Sequence, residues 1–526
     1  MDALTAIEAR RVALQHDLDG RKTQKERNRL GQFATPTTLA SDVLTHARTL
    51  LPEDANVRFL DPAFGTGSFY AALTRYFPAE RLQKATGIEI DPHYGIAAQE
   101  LWRNHALEIE IGDFTAMKPP APRERFNLVV CNPPYVRHHH MGASEKGRLQ
   151  AATTAACGVR MGGLAGLYCY FLGLAHAWLA DDGIAGWLVP SEFMDVNYGG
   201  PVKRYLLHEV ELLRIHRFDP NELQFGDALV SSAVVWFRKR RPQARHDVEF
   251  SYGGTLSHPI HSRLVSVTAL QNLRKWTGLA AGGLKETTEG LRLTDFFSIK
   301  RGLATGNNRF FILSRAEIES RNLPREFFKP ILPGPRYLPA DVIEAEADGT
   351  PKVERQQFIL DCRLPEDQVR ARFPSLWAYL KTGKPKVSDT YLCSRRSPWY
   401  SQENRPPAPF VCTYMGRGIA KREKPFRFIL NRSQATAANV YLMLYPIPAL
   451  AKAIERVPEL ARRVWEFLDS IPPEVLLGEG RVYGGGLYKM EPKELANVPA
   501  DAISALLPAS DLRPAKQREM FPERAA

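Results

Sequence analysis

The sequence predicts an α/β protein in which a mostly parallel, helix-covered sheet, residues 31–240, is followed by a domain of mixed α and β structure, residues 245–526. Three observations predict it. From Val57 to Val130, apolar runs of strand length alternate with helical stretches, the pattern of successive βαβ units. The runs end in Gly, Asp or Asn, residues of the loops that follow strands. Past Arg240 this rhythm is lost, and the chain becomes rich in Pro, Arg and aromatic residues at irregular spacing. A length of 526 residues agrees, since it exceeds what one hydrophobic core organises. A composition of 44% hydrophobic and 24% charged residues excludes a disordered or collagen-like chain.

In chain order, residues 1–30 read as a polar helical leader rich in Arg, Lys and Glu. The first four strands are expected in VRFLDP, KATGIEIDP, LEIEIGDF and FNLVVCN. The series continues with a helix at about Tyr168–Leu179, a strand at GIAGWLVP, a helix near Val202–Glu211 and strands near LLRIHRF and SSAVVWFRK, about seven strands in all. The small, polar segment from Gly142 to Gly163 is expected to be a mobile loop. Up to Arg240, 27 basic residues balance 27 acidic ones, so the whole net charge of +12 lies beyond it. A local basic excess concentrates polyanions, which points to nucleic acid as the partner of the C-terminal part. The six cysteines form no C-x-x-C pair, against both a structural zinc site and a disulfide framework. The charged N-terminus offers no signal peptide and no run approaches a bilayer-spanning length, so a cytoplasmic, membrane-free protein is expected.

Ligands of open parallel sheets bind outside the carboxyl ends of the strands, and four such loops carry chemistry here. Asp61-Pro62-Ala63-Phe64-Gly65-Thr66-Gly67-Ser68 is a glycine turn whose backbone can approach a ligand; it is neither the G-x-x-x-x-G-K-[ST] phosphate loop nor a full dinucleotide fingerprint. Glu89, one unit later, is a carboxylate at a strand end that can accept two hydrogen bonds from a ribose diol or cap the helix that follows. Asp113-Phe114 offers an acceptor for an exocyclic amine beside a flat apolar face, or a simple turn. Cys131-Asn132-Pro133-Pro134-Tyr135 is the most informative. Two prolines fix φ and remove two N–H donors, so the Asn132 side-chain oxygen and the Pro133 carbonyl suit a planar –NH₂ on an aromatic ring. Held by two hydrogen bonds, such a nitrogen moves toward sp³ geometry, and its lone pair becomes available to an electrophile. Tyr135 can stack on the ring.

Taken together and in this order, GQFATP at Gly31–Pro36, DPAFGTGSF, GIEIDP, GDF and NPPY resemble the gamma-class adenine-N6 DNA methyltransferases, which use S-adenosylmethionine and are commonly partners of restriction endonucleases. The resemblance covers about residues 28–240. It implies a Rossmann-like, SAM-dependent methyltransferase domain followed by a target-recognition domain, acting on double-stranded DNA without a metal. It further implies that Phe33, Thr35 and Pro36 close over the methionine end of the cofactor and that Asp61, Ala63 and Gly65 border the methionine moiety. Glu89 then takes the ribose hydroxyls, Ile90 packs on the adenine, and Asp113 with Phe114 recognises the adenine amine. Phe171 in LYCYFL matches an aromatic near the cofactor. Phe225, in NELQFGDAL, matches a phenylalanine facing Tyr135 across the extruded base, whose amine is inaccessible while paired. One departure is Asp61, where many relatives have Glu. His138, His139 and His140 follow the loop, but neighbouring side chains point in different directions, against a metal site.

In the C-terminal part, LTDFFSIKRGLATGNNRFFIL places a basic, Gly-rich turn between two apolar runs. Arg301 there is a candidate phosphate contact, and Asn307 or Asn308 a candidate base contact. Arg395 and Arg396 in YLCSRRSPWYSQ, and Arg417, Lys421 and Arg422 in TYMGRGIAKREKPFRF, are further candidate phosphate contacts. No nuclease constellation stands out, so cleavage is expected of a separate restriction endonuclease. Two other readings stay open: methylation of a glutamine amide or an RNA guanine amine, which the same acceptors could serve, and a catalytically idle DNA-binding subunit.

Overall fold

Successive residues of a strand point to opposite faces, so the continuous apolar run FNLVVC predicts a strand buried on both. In the computed structural model Leu128 and Val130 enter one core, and Val129 and Cys131 the other. The structure describes residues 3–219, 224, 231–243, 245–273, 275–280, 290–417, 424–483 and 487–507. It divides into two units, residues 1–285 with 483–486 and residues 286–482 with 487–526.

In the first unit, β1 (Val57–Asp61), β2 (Leu82–Glu89), β3 (Glu108–Ile111), β4 (Phe126–Cys131), β5 (Leu179–Pro190), β6 (Glu211–Arg217), β7 (Ser232–Arg238), β8 (Asp247–Gly254) and β9 (Pro259–Ser266) form one sheet. Its order is β3-β2-β1-β4-β5-β7-β6-β8-β9. The strands from β3 to β5 are parallel, whereas β7 runs antiparallel to both its neighbours. Helices α1 (Ala3–Gly20), α2 (Gln24–Leu30), α3 (Thr37–Leu50), α4 (Ser68–Tyr76), α5 (Pro92–Trp102), α6 (Ala143–Cys157), α7 (Leu167–Leu174), α8 (Gly200–His208) and α9 (Val267–Asn272) complete the unit. Side chains of α3, α4 and α5 bury one face of the sheet, and those of α6, α7, α8 and α9 the other. The expected parallel, helix-covered α/β sheet is therefore present.

Two expectations are corrected. The sheet does not stop near Arg240, because β8 pairs with β6 in parallel and β9 closes that edge. These strands are polar at most outward positions, with β9 largely exposed, so they lack the apolar rhythm of the inner strands. The expected loop Gly142–Gly163 contains α6, a helix of 15 residues. Ala-rich AATTAA favours a helix, and Leu149, Thr153 and Cys157, four residues apart, bury one face.

The second unit is mixed α+β. A five-stranded sheet orders Phe297–Arg301, Tyr441–Pro446, Phe410–Thr413, Phe428–Asn431 and Val342–Ile343. A four-stranded sheet orders Ile312–Ser314, Gln357–Leu360, Phe328–Leu332 and Thr436–Ala437. The helix Pro374–Lys381 buries Leu376 and Leu380 in a core with Phe311, Trp399 and Tyr400. Among the described residues no helix is long and apolar enough to cross a membrane, and no cluster of three metal-ligating side chains occurs.

Candidate functional site

The chain winds outward from β1 to β2 and β3 on one side and from β4 to β5 on the other, so the sheet has a switch point between β1 and β4. In open α/β sheets ligands bind at such a point, outside the carboxyl ends of the strands. β1, β2 and β4 end at Asp61, Glu89 and Cys131 on one edge of the sheet. Asp61 is 1% exposed and accepts the Ala63 N–H at 3.1 Å. Glu89, 7% exposed, accepts the Gly65 N–H at 2.8 Å and the Asp91 N–H at 2.9 Å, one on each oxygen. It thereby ties the turn after β1 to the turn after β2. Neither Asp61 nor Glu89 has an ion-pair partner among the described residues. Burial pushes the Asp61 carboxyl up to about 8; the Ala63 N–H opposes the rise and the neighbouring Glu89 adds to it. Burial also raises Glu89, against the pull of its two N–H donors. The charged form of either carboxyl would be favoured by a cation placed beside it. Next to Glu89, Ile90 is 56% exposed, an apolar side chain without cover.

The turn itself is sterically dictated. Gly67 opens α4 at φ +91°, and a Cβ there would lie 2.6 Å from the Phe64 ring and 2.8 Å from the Trp102 Nε1. After β3, Asp113 accepts from the Thr115 N–H at 2.9 Å and its hydroxyl at 2.8 Å, and Arg148 lies 3.6 Å from the carboxylate. Phe114 and Phe171 are both buried, with ring centroids 5.2 Å apart, in the core against which Ala63 packs.

After β4, the Asn132 Nδ2 donates to the Phe33 carbonyl at 2.9 Å and to the Thr35 hydroxyl at 3.1 Å. The Phe33 carbonyl can only accept, so it fixes the amide orientation, and the Asn132 oxygen faces away from the GQFATP segment. Pro133 is buried and Pro134 half-buried. Tyr135 donates its N–H to the Gly31 carbonyl at 3.3 Å and its hydroxyl to the Leu188 carbonyl at 3.1 Å. Burial raises that hydroxyl above the ordinary tyrosine range. The Phe33 and Tyr135 rings lie 5.8 Å apart. Gly31, at φ +66°, ends α2, and a Cβ would stand 2.4 Å from the Tyr135 nitrogen. GQFATP and NPPY thus form one unit of structure. Thr35 is buried and Pro36 precedes α3.

Sequence reasoning missed what braces these loops. Arg11 of α1, 2% exposed, forms a two-pronged ion pair with Glu8 at 2.7 Å on each prong and donates to the Thr66 hydroxyl at 3.2 Å and the Thr37 hydroxyl at 3.3 Å. The Thr66 hydroxyl donates to the Gln15 amide oxygen at 2.7 Å, and the Tyr94 hydroxyl to Asp19 at 2.7 Å. Lys22 pairs with Asp91, which also accepts from Gln32 at 2.8 Å. The signal was present: residues 8, 11, 15 and 19 recur every three or four positions, one polar stripe on a helix, with Lys22 just past its end.

Phe225, Lys421 and Arg422 lie outside the described residues, as does the Arg417 side chain. In the second unit, the Arg301 Nε donates to the Asn439 carbonyl at 3.2 Å and its guanidinium lies 4.0 Å from the Tyr414 ring centroid. Arg396 donates to the Thr305 and Ala304 carbonyls at 3.0 and 2.6 Å and to Gln402 at 3.1 Å. Asn307 caps a short helix by accepting the Phe310 N–H, and the exposed Asn308 accepts from the Thr305 hydroxyl at 2.6 Å. Arg395 is exposed and stacks 3.7 Å over Tyr391.

Comparison with known proteins agrees with the resemblance read from the motifs. Residues 82–224 match the family model of the Eco57I restriction-modification methylase, and residues 280–518 that of the C-terminal domain of the type II methyltransferase M.Eco57I. The type II methyltransferase M.XamI of Xanthomonas campestris pv. amaranthicola is 27% identical over 504 residues, 91% of this chain and 86% of that protein. M.AccI of Acinetobacter calcoaceticus is 22% identical over 502 residues, 92% and 87% of the two. A cryo-EM structure of a DrdV–DNA complex shares the fold at TM-score 0.50 and 14% identity over 85% of this chain, which spans 54% of that one.

Proposed function

We propose that this chain, similar over residues 82–224 to the Eco57I restriction-modification methylases and over 280–518 to the C-terminal domain of M.Eco57I, transfers a methyl group from S-adenosylmethionine to the N6 amine of an adenine turned out of duplex DNA. The donor set fits that cofactor: Asp61 and Glu89 are buried carboxyls that a cationic ligand would bring into their charged forms, and Glu89, Ile90, Asp113 and Phe114 lie at or just past the strand ends where a nucleoside binds. The cofactor supplies a methyl group on a sulfonium, already activated for displacement. Phe33, Thr35 and Pro36 close over that end of the cofactor in this reading.

The Asn132 oxygen and the Pro133 carbonyl accept the two protons of the adenine amine. These acceptors draw the nitrogen out of conjugation before it attacks, so their hydrogen bonds strengthen as the nitrogen becomes positive. Proton loss follows transfer, so no general base is needed earlier. Tyr135 stacks on one face of the base, and Phe225 on the other. The second unit reads the target sequence.

The observation that carries this reading is the clustering, at the ends of the neighbouring strands β2, β1 and β4, of two buried carboxyls without an ion-pair partner among the described residues and an amide whose two protons are already committed. Sequencing the DNA of a host that expresses the chain tests it. N6-methyladenine within one short sequence context is expected; unmodified DNA, with methyl label in protein or RNA, would overturn the reading.

A further inference from the structure

Two of the three basic stretches of the second unit, the turn at residues 304–309 and the YLCSRRSPWYSQ loop, come together in space. Arg396 and the Cys393 thiol, at 3.6 Å, bind carbonyls of residues 304–305, so the loop after the helix Pro374–Lys381 folds onto the turn at residues 304–309. A concavity of about 790 Å³ opens beside this junction. Three cations line it, Arg309, Arg321 and Lys386, all exposed, and among the described residues no carboxylate does. Its floor is stiff: the Phe310 and Tyr379 rings stack at 4.8 Å and 10°, and the Tyr379 hydroxyl donates to the Phe310 carbonyl at 2.6 Å. The Arg321 guanidinium lies 5.2 Å from the Tyr379 ring centroid, which holds its charge at the rim.

We propose that this groove binds the phosphodiester backbone of duplex DNA, with Arg309, Arg321 and Lys386 as its phosphate contacts; the proposal rests on the DNA-methyltransferase reading above. Arg301 and Arg396 serve less well, because backbone carbonyl oxygens already accept from them. A preformed groove loses little freedom on binding, and cations on its rim release counterions from phosphates. Such contacts carry affinity and register but no base information.

The test is the affinity of the full chain for a duplex carrying its modified site, and for one lacking it, across a series of KCl concentrations. Arg309→Ala, Arg321→Ala and Lys386→Ala are measured singly and together. Each removal is expected to weaken binding to both duplexes alike and to lower the slope of log affinity against log salt by about one. Arg309→Lys should keep the slope, and affinity for S-adenosylmethionine should stay at the parent value, which a folding defect would not allow. Parent affinity and slope in the triple variant, or losses confined to RNA, would overturn the groove assignment. A parent chain that binds no DNA would overturn the functional reading and the groove with it.

Discussion

Asp61 shows how far one residue can be read. Its place in the first motif was legible, because D-P-x-x-G-x-G after an apolar strand is a turn that presents a carboxylate at a strand end. Its burial was not, since that depends on packing by residues distant in sequence. Burial raises the carboxyl from the ordinary 3.8 to about 8. The folded chain therefore keeps a proton that the unfolded chain releases, and the stability this contributes is lost as pH rises through about 8. A positively charged ligand displaces that proton. Cofactor affinity is thus expected to rise with pH between about 4 and 8, by up to about tenfold per pH unit, and Asp61→Asn should flatten the rise. Isothermal titration at several pH values checks this, and a flat profile in the parent would contradict it. The basic candidates were less legible: Arg396 reads as a surface charge, yet its guanidinium is taken by three oxygens brought from elsewhere in the chain.

Among the elements, β1 to β7 were legible because each carries apolar residues at strand length, continuous in β4 and β7, and the parallel strands stop at turn residues. β8 and β9 were missed as edge strands with little apolar pattern, and α6 because its buried stripe includes Thr153 and Cys157. The leader was legible as a helix but not as a brace, since its contacts with the glycine turn span 55 residues. Arg11 is a positioning residue in this account: it reaches Thr66 in one ligand loop and Thr37 beside the other. Arg11→Ala leaves the partly buried Glu8 with the Thr37 hydroxyl as its remaining partner and is expected to cost about 2 kcal/mol of stability. Below the unfolding transition, the variant should bind cofactor more weakly than the parent, while Arg11→Lys recovers part of the loss. Calorimetric unfolding together with a cofactor titration measures both; unchanged cofactor affinity in the folded variant would reduce α1 to a structural role.

For the whole molecule, the first unit carries a pH liability of the opposite sign. Burial lowers His46 and His176 to about 4 and His216 to about 3. The unfolded chain takes up protons there below about 6.5, whereas the folded chain does not, so stability falls as pH drops from about 6.5 toward 4. The thermal midpoint is expected to fall across that window, and less steeply in His46→Gln and His216→Gln variants. A pH-independent midpoint in the parent would contradict the burial of these rings as neutral groups. The mixed fold of the second unit was not legible, because its strands lie far apart in sequence and pair without a repeating spacing. The whole account converges on the loop after β4, and the most direct measurement is single-turnover methyl transfer to duplex DNA by Asn132→Ala beside its cofactor affinity. Transfer slower by about 100- to 1,000-fold at parent cofactor affinity is predicted. Transfer at the parent rate, or a loss no greater than the loss of cofactor binding, would contradict it.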